Sequence, residues 1–153
     1  MMEIIKYGFV AAALLSAVGI TSPVMATSKS LTGAAPDLVP IPERMKNGTL
    51  SARNVGSADA GAFVITVQCQ KQGGGSCAEA PGMARYEDPK YPNRAVVKVN
   101  GLQKGKVFNH KLSFWGALVW APGNYNFLVE VDPGKTVAET NEGNNIMGTV
   151  FSP

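Results

Sequence analysis

Residues 125–131 alternate large apolar side chains with mostly polar ones, and this pattern constrains the fold more than any other feature of the chain. The apolar positions are Tyr125, Phe127, Val129 and Val131. A period of two predicts a strand that buries one face. A turn at residues 132–134 and a loop rich in side-chain oxygens follow, and residues 146–151 predict a closing strand. This ending favours the edge of a β-sandwich and a module that displays loops.

Short strands separated by turn signals are predicted along most of the chain. They cover residues 36–41, 49–55, 62–68, 95–99, 106–114, 125–131 and 146–151. We expect residues 106–114 and 125–131 to pair as a hairpin. Turn signals recur roughly every dozen residues, and no stretch after the N-terminal 26 residues has a convincing helical period. The pattern therefore predicts an all-β fold, an antiparallel β-sandwich of seven to eight strands.

The N-terminal 26 residues have the pattern of a secretory signal peptide. Lys6 precedes an apolar run over residues 7–20, and Val24 and Ala26 are small residues at the positions that a signal peptidase reads. An uncleaved anchor is the alternative, but the run is short of the roughly 20 residues that a bilayer span needs. We expect cleavage after Ala26, a disordered lead-in over residues 27–35, and one folded domain over residues 36–153 without a membrane span.

Cys69 and Cys77 are the only cysteines, and the glycine-rich stretch between them is flexible enough to bring them together. Outside the cytoplasm, a close and even pair of cysteines usually forms a disulfide. A metal pair or a redox pair is the alternative. Neither fits the residues well, because there is no CxxC motif and the single histidine, His110, lies far along the chain. We therefore predict a structural Cys69–Cys77 disulfide.

Several short motifs, in this order, resemble the CARDB family, the cell-adhesion-related domain found in bacteria. The motifs are Asn54-Val55-Gly56, Gly101-Leu102, Pro122-Gly123-Asn124-Tyr125, Val131-Asp132, and Glu139-Thr140-Asn141-Glu142-Gly143-Asn144-Asn145. The resemblance covers about residues 36–152 and implies an immunoglobulin-like, seven-stranded sandwich. Such domains often occur as tandem copies in large surface proteins. The chain departs from the family in its longer segment at residues 70–93 and in its cysteine pair.

Three residues are interpreted as structural. Tyr125 follows Pro122-Gly123 at the start of a strand and resembles the tyrosine corner of immunoglobulin-like sandwiches, in which the hydroxyl bonds nearby backbone. Asn54 and Gly56 are expected to close the end of a strand.

The loop between the last two predicted strands is a candidate calcium site. Its oxygen-bearing side chains are Asp132, Glu139, Asn141, Glu142, Asn144 and Asn145, and Ca²⁺ selects oxygen ligands. The alternative is that these side chains bond the backbone amides of their own loop, as Asx-type turns do. No other cofactor is expected.

Three surfaces are candidates for partner binding. The first is the segment at residues 70–93, which includes Tyr86; the second is the apolar tip that Trp115 and Trp120 flank; the third is the open edge of the first strand. Exposed aromatic side chains at such a tip could recognise a partner protein or sugar rings. Core filling is the alternative for both tryptophans.

No pattern in the chain points to catalysis or to nucleic acid. There is no GxSxG motif, the basic residues are scattered, and no cluster joins a nucleophile to a base. We therefore expect an exported, non-enzymatic interaction module, periplasmic or at the cell surface, that recognises another envelope or extracellular protein. The alternatives are a carbohydrate-binding module that uses Trp115 and Trp120, with polysaccharide as partner, and a calcium-stabilised structural domain.

Overall fold

Seven strands form where the sequence alternates apolar and polar residues, and a computed structural model describes them within residues 33–153. The strands are β1 Leu38–Pro40, β2 Thr49–Asn54, β3 Phe63–Lys71, β4 Ala95–Val99, β5 Val107–Lys111, β6 Tyr125–Val131 and β7 Ile146–Phe151. They build a three-stranded sheet in the order β1-β2-β5 and a four-stranded sheet in the order β4-β3-β6-β7, all antiparallel. The all-β sandwich is confirmed. The predicted signal peptide and residues 27–32 of the predicted lead-in lie outside the described residues.

The predicted hairpin between the fifth and sixth strands is wrong. β5 pairs with β2 in one sheet, whereas β6 pairs with β3 and β7 in the other. The connection over residues 112–124 crosses between the sheets and is longer than the two to five residues of an ordinary hairpin loop. β5 also ends at Lys111, before the predicted end at residue 114: the bond from the Leu112 amide to the Gly48 carbonyl, at 2.9 Å, is the last one to β2, which begins at Thr49.

The inner faces of the two sheets form the core. The predicted apolar face of β6 is buried along its whole length, and Phe63, Ile65 and Val67 face inward from β3. The opposite sheet contributes Leu38 and Leu50, both fully buried. Each such side chain contributes about 1.5–3 kcal/mol relative to an exposed one, so the alternating pattern supplies most of the driving force for the fold.

The connections lie at two opposite ends of the sandwich. One end, here called the disulfide pole, carries residues 41–48, 72–94 and 112–124, with 3₁₀ turns at Pro42–Asn47, Met83–Tyr86 and Trp115–Ala117. The other end, here called the motif pole, carries residues 55–62, 100–106 and 132–145. Most of the motifs that resemble the CARDB family lie at the motif pole, whereas both departures from the family lie at the disulfide pole.

Asn54 joins three segments at the motif pole. Its Oδ1 accepts hydrogen bonds from the amides of Asp37 and Gly56, at 3.2 and 3.0 Å, and its Nδ2 donates to the carbonyls of Ala58 and Leu102, at 2.8 and 2.9 Å. The side chain is fully buried, so these bonds replace the water that each group would otherwise lose. Gly56 is needed beside it, since a Cβ there would lie 2.4–2.5 Å from the backbone of residues 35–37.

Two further hydrogen bonds lie at opposite poles of the sandwich. The Tyr125 hydroxyl donates to the Ala121 carbonyl at 2.8 Å, which is the backbone contact that defines a tyrosine corner. Ala35 is buried, and its carbonyl accepts a hydrogen bond from the Ser57 amide at 2.9 Å. Ala35 therefore packs against the sandwich, directly before the predicted start of the domain at residue 36.

Candidate functional site

The β6–β7 loop, residues 132–145, fastens the N-terminal strand to the opposite sheet. The Glu139 carboxylate accepts a hydrogen bond from the Leu38 amide, and the Thr140 amide donates to the Pro36 carbonyl at 2.9 Å. Asn144 donates from Nδ2 to the Asp37 carboxylate at 2.8 Å. These partners are 101 to 107 residues apart in the chain. The loop therefore holds the first strand against the last two.

The same contacts close the edge of β1, which was predicted to be an open surface. The amides of Val39 and Ile41 face β2, because hydrogen bonds alternate along an antiparallel pair and Ile41 bonds Ser51. The outward positions are Pro36, Leu38, Pro40 and Pro42, and three of these four have no N–H. The Leu38 amide is the remaining donor, and Glu139 occupies it. This edge is therefore not available to a partner strand.

Asp132 shapes the loop from within. It is buried at a positive φ of 46°, its Oδ1 accepts from the Thr136 hydroxyl at 2.7 Å, and its Oδ2 accepts from the Val137 amide at 2.7 Å. Both oxygens already have protein donors. Asn141 is exposed and bonds the Gly143 amide at 3.0 Å, as an Asx turn does. These two members of the predicted calcium set act within the loop.

Glu139 is the most electrostatically perturbed group in this loop. Its side chain is 4% exposed. Burial raises the pKa of the carboxyl from 4.5 to about 7; the Leu38 and Asn145 hydrogen bonds oppose the rise, and the nearby carboxylates of Glu142 and Asp132 add to it. The loop thus contains a carboxyl group that takes up a proton near neutrality.

The loop has more buried acceptors than donors. Within residues 33–153, the buried side-chain oxygens that lack a hydrogen-bond partner are Glu142 Oε2, Asn144 Oδ1 and Asn145 Oδ1. Asn145 donates its Nδ2 to Glu139 at 2.9 Å, so its unpaired oxygen lies beside the perturbed carboxyl. The same described part of the chain has no cluster of three His, Cys, Asp or Glu residues suited to a metal. The oxygen ligands that the loop could offer a cation are therefore the carboxylates of Glu139 and Glu142 and the amide oxygens of Asn144 and Asn145.

The disulfide pole is held by covalent and aromatic contacts. Cys69 and Cys77 form a disulfide, as predicted, with Cα atoms 6.2 Å apart. Closing this short loop contributes about 2–3 kcal/mol in the chain-entropy model. Further along the segment, Tyr86 is buried against Phe114, with ring centroids 5.2 Å apart, and its hydroxyl accepts from the Ser113 amide at 3.1 Å. Tyr86, predicted as a partner-binding residue, is 8% exposed and anchors the segment.

Trp115 and Trp120 lie in a cluster of aromatic rings and are both half-buried. Trp120 packs on Tyr125 and Phe151 with centroid distances of 4.8 and 5.1 Å, and Trp115 packs on Trp120 at 5.3 Å. A Cβ at Gly48 would overlap the Trp115 ring, so the neighbouring turn is fitted to it. Both tryptophans fill the end of the core and present only part of their surface.

A cleft opens between this aromatic cluster and the segment that carries the disulfide. Its volume is ≈ 840 Å³. The apolar wall includes Met45, Met83, Phe114, Trp115, Leu118, Trp120 and Phe127, and the rim carries Glu79, Glu87, Asp88 and Arg94. Arg94 is paired with Glu130. The three rim carboxylates have no such ion pair within the described residues, so the residues that line the cleft carry a net negative charge, on a chain whose net charge is +3.

Val119 is an exposed apolar residue that no sequence motif singled out. It lies between Leu118 and Trp120 at the margin of the cleft, and it is 86% exposed, the largest value among the exposed large apolar residues of the described chain. The available signal was an uninterrupted apolar run within a turn, where polar residues are usual.

The chain belongs to the CARDB family, whose model matches residues 36–149. The family is a non-catalytic, adhesion-related domain family that is associated with the cell surface. The comparison with curated proteins gives no match.

Two solved structures have a similar fold. One is a CARDB domain from Pyrococcus furiosus, crystallised in complex with di-metal ions: it is 18% identical, the TM-score is 0.43, and the match covers 80% of this chain and 96% of that one. The other is a solution NMR structure of a domain, residues 272–376, of a candidate cell surface protein from Methanosarcina acetivorans: it is 22% identical, the TM-score is 0.46, and the match covers 77% and 91%. Within residues 33–153, no helix has the length and apolar character of a membrane span.

The pKa of Glu139 predicts how stability depends on pH. The folded state keeps the proton up to about pH 7, whereas the unfolded chain releases it near pH 4.5. This contribution to stability is complete below pH 4.5 and is lost as pH rises through 7. In EDTA, urea titrations should show the free energy of unfolding falling by about 3 kcal/mol over this interval.

Glu139→Gln should flatten this fall, because the amide is neutral at every pH and can donate to Asn145 Oδ1 if that side chain rotates. Glu79→Gln, at the exposed rim of the cleft, is the matched control and should leave the pH profile unchanged. A folded Glu139→Gln variant with the wild-type slope would contradict the assignment.

Proposed function

We propose that the chain is an exported, non-enzymatic recognition module that binds another envelope or extracellular protein through the cleft at the disulfide pole. The disulfide supports a site of action outside the cytoplasm, where such bonds persist. The family supports a surface role. The observation that carries the proposal is the cleft itself, with aromatic walls, an acidic rim and an exposed apolar residue at its margin.

The rigidity of the cleft suits it to recognition. One wall is the aromatic cluster, which rests on β6 and β7, and the other is the segment that the disulfide and Tyr86 hold in place. A preformed pocket loses less conformational entropy on binding than a mobile loop does. Pockets of roughly 300–1,000 Å³ with apolar walls and a few polar groups are typical ligand sites.

The charges at the rim indicate the chemistry of the partner. Glu79, Glu87 and Asp88 face the mouth, and the Arg94 charge is already neutralised by Glu130. We therefore expect an extended segment of a partner protein in which a large apolar side chain enters the cleft and flanking Lys or Arg residues meet the rim. Buried apolar anchors supply most of the affinity in such interfaces, and rim charges supply the on-rate and selectivity.

Selection from a displayed random-peptide library, with the purified protein as bait, tests this proposal. We expect enrichment of peptides that carry a large apolar residue flanked by basic residues. Val119→Lys should reduce their binding at least tenfold, since it places a like charge beside the cleft without disturbing the core. Affinities are measured by fluorescence anisotropy with one enriched peptide, at low and at physiological salt.

Val55→Lys is the matched control. Val55 is 52% exposed at the motif pole, so the substitution makes the same change of charge and volume far from the cleft. Binding should survive in this variant. Failure to enrich any class of peptide, or equal losses in both variants, would contradict the proposal.

A calcium-stabilised structural domain is the second candidate, favoured by the unpaired oxygens of the β6–β7 loop. Glu139, Glu142, Asn144 and Asn145 offer the hard oxygen donors that Ca²⁺ prefers, and three of these oxygens lack a hydrogen-bond donor. A bound cation would supply the positive charge that a proton on Glu139 otherwise supplies. Its effect would be to fasten the first strand more firmly.

Melting curves distinguish the two sources of positive charge. If the loop binds Ca²⁺, the melting temperature at pH 8 should be several degrees higher in about 5 mM CaCl₂ than in EDTA, as expected for extracellular sites with dissociation constants of about 10⁻⁴–10⁻³ M. Glu142→Gln should remove most of this increase, and Mg²⁺ should not reproduce it. Equal melting temperatures in Ca²⁺ and EDTA would eliminate the candidate.

Polysaccharide recognition by Trp115 and Trp120 receives less support. A sugar-binding platform needs an open aromatic face, whereas both rings pack against other rings of the core. Alanine at either position would also remove core packing, so loss of binding in such variants would not identify a contact. Val119→Lys is the better probe for this surface too.

A further inference from the structure

Each sheet has two edge strands, and three of the four edges carry features that oppose pairing with another strand. β1 has prolines and the Glu139 contact at its outward positions. β4 contains Lys98 and β5 ends in Lys111. Charged residues and prolines on edges are recognised protection against edge-to-edge association. β7, Ile146–Phe151, has neither a proline nor a charge over its six residues.

The backbone groups of β7 alternate between its partner and solvent. The Val131 amide bonds the Asn145 carbonyl at 2.8 Å, so the odd-numbered residues of β7 face β6. The N–H and C=O groups of Ile146, Gly148 and Val150 therefore point away from the sheet. Gly148 is exposed at the centre of this row.

The side chains at the same positions form an apolar surface on the outer face of the sheet. Ile146 and Val150 are 45% and 46% exposed, and Leu128, opposite Gly148 on β6, is also exposed. The nearest charge on this face is Glu130, opposite Ile146, and Arg94 neutralises it. The edge and its flanking face thus carry no net charge.

We propose that β7 pairs with β7 of a second copy of this chain, antiparallel and about a two-fold axis at Gly148. In this register Gly148 lies opposite Gly148 of the second copy, and Ile146 lies opposite its Val150. All three outward residues then fall in hydrogen-bonded pairs, each of which exchanges two N–H···O bonds. The two four-stranded sheets become one continuous sheet of eight strands.

The strand itself is suited to a second copy more than to an unrelated strand. Its outward residues are symmetric about Gly148, with one β-branched apolar side chain two positions away on each side, so the strand complements itself. Apolar pairs of this kind stabilise neighbouring strands. An isologous contact also uses the open β7 edge of each copy. The protected β1, β4 and β5 edges then prevent the addition of further copies to the dimer.

Sedimentation velocity across a concentration series, with sedimentation equilibrium for the mass, tests the proposal on the purified protein. We expect a reversible monomer–dimer equilibrium without larger species. Gly148→Pro removes the N–H at the axis; in the monomer this N–H faces solvent, which is the position at which an edge strand accepts proline. Val150→Lys, on the flanking face, is a second variant that does not depend on proline geometry.

Both variants should sediment as monomers at every concentration while melting cooperatively. Gln68→Lys, exposed on the same outer face but on β3, is the matched control and should remain in the dimer equilibrium. A wild-type protein that is monomeric at all concentrations overturns the proposal. The same result is expected if β7 pairs only with a strand of another protein, so that alternative also counts against the proposal. A dimer that both folded variants retain overturns it as well.

Discussion

The hydrogen bond from the Leu38 amide to the buried Glu139 carboxylate is the contact on which the rest of the structure depends. It joins the first strand to the connection between the last two strands, across 101 residues of chain. Since β1 is only three residues long, its pairing with β2 alone is a weak attachment. The β6–β7 loop adds hydrogen bonds to Pro36, Asp37 and Leu38. These bonds hold β1 in the three-stranded sheet and fasten that sheet to the four-stranded one.

This arrangement carries an electrostatic cost that gives the loop its chemical character. A carboxylate that caps a backbone amide must be buried to reach it, and burial favours its neutral form. The neighbouring Asn and Glu oxygens add acceptors without adding donors. A proton on Glu139 relieves this imbalance, and a cation would do the same. The structural interpretation of the loop and the calcium proposal therefore concern the same set of oxygens.

The two poles of the sandwich are held together by different contacts. Asn54, Gly56 and the β6–β7 loop secure the motif pole, where the residues that resemble the family act on one another. The disulfide pole carries a longer segment, a covalent closure and the cleft, which is the proposed recognition site. Functional loops on a rigid scaffold commonly show this division. Fold membership alone does not identify the ligand, since one sandwich serves many functions.

Local patterns in the sequence predicted local structure well. The bounds of β4, β6 and β7 agree with the alternating runs residue for residue, because period two reports a buried face directly. The disulfide was also predictable, since its cysteines are close in the chain. The sheet to which β5 belongs was not, because alternation shows that a face is buried but not which strand lies beside it.

The candidate sites were likewise predictable where the evidence was local in the chain, and not where it depended on distant residues. The oxygen-rich loop was identifiable from composition, but the Leu38 amide as the partner of Glu139 was not, since nothing local links residues so far apart. The burial of Tyr86 and the packing of Trp115 and Trp120 depend on how residues 72–94 and 112–124 fold over the end of the core. Val119 was missed because an apolar residue in a turn gains meaning only once its exposure is known.

Native-state hydrogen exchange at the Leu38 amide tests the central interaction most directly. If Glu139 closes the β1 edge, this amide should exchange only through global unfolding, with the same protection as the Val129 amide at the centre of β6. The measurement uses NMR at pH 6, where the acid-catalysed and base-catalysed rates are well known. A Leu38 amide that exchanges orders of magnitude faster than Val129, as an exposed edge amide does, would contradict the account.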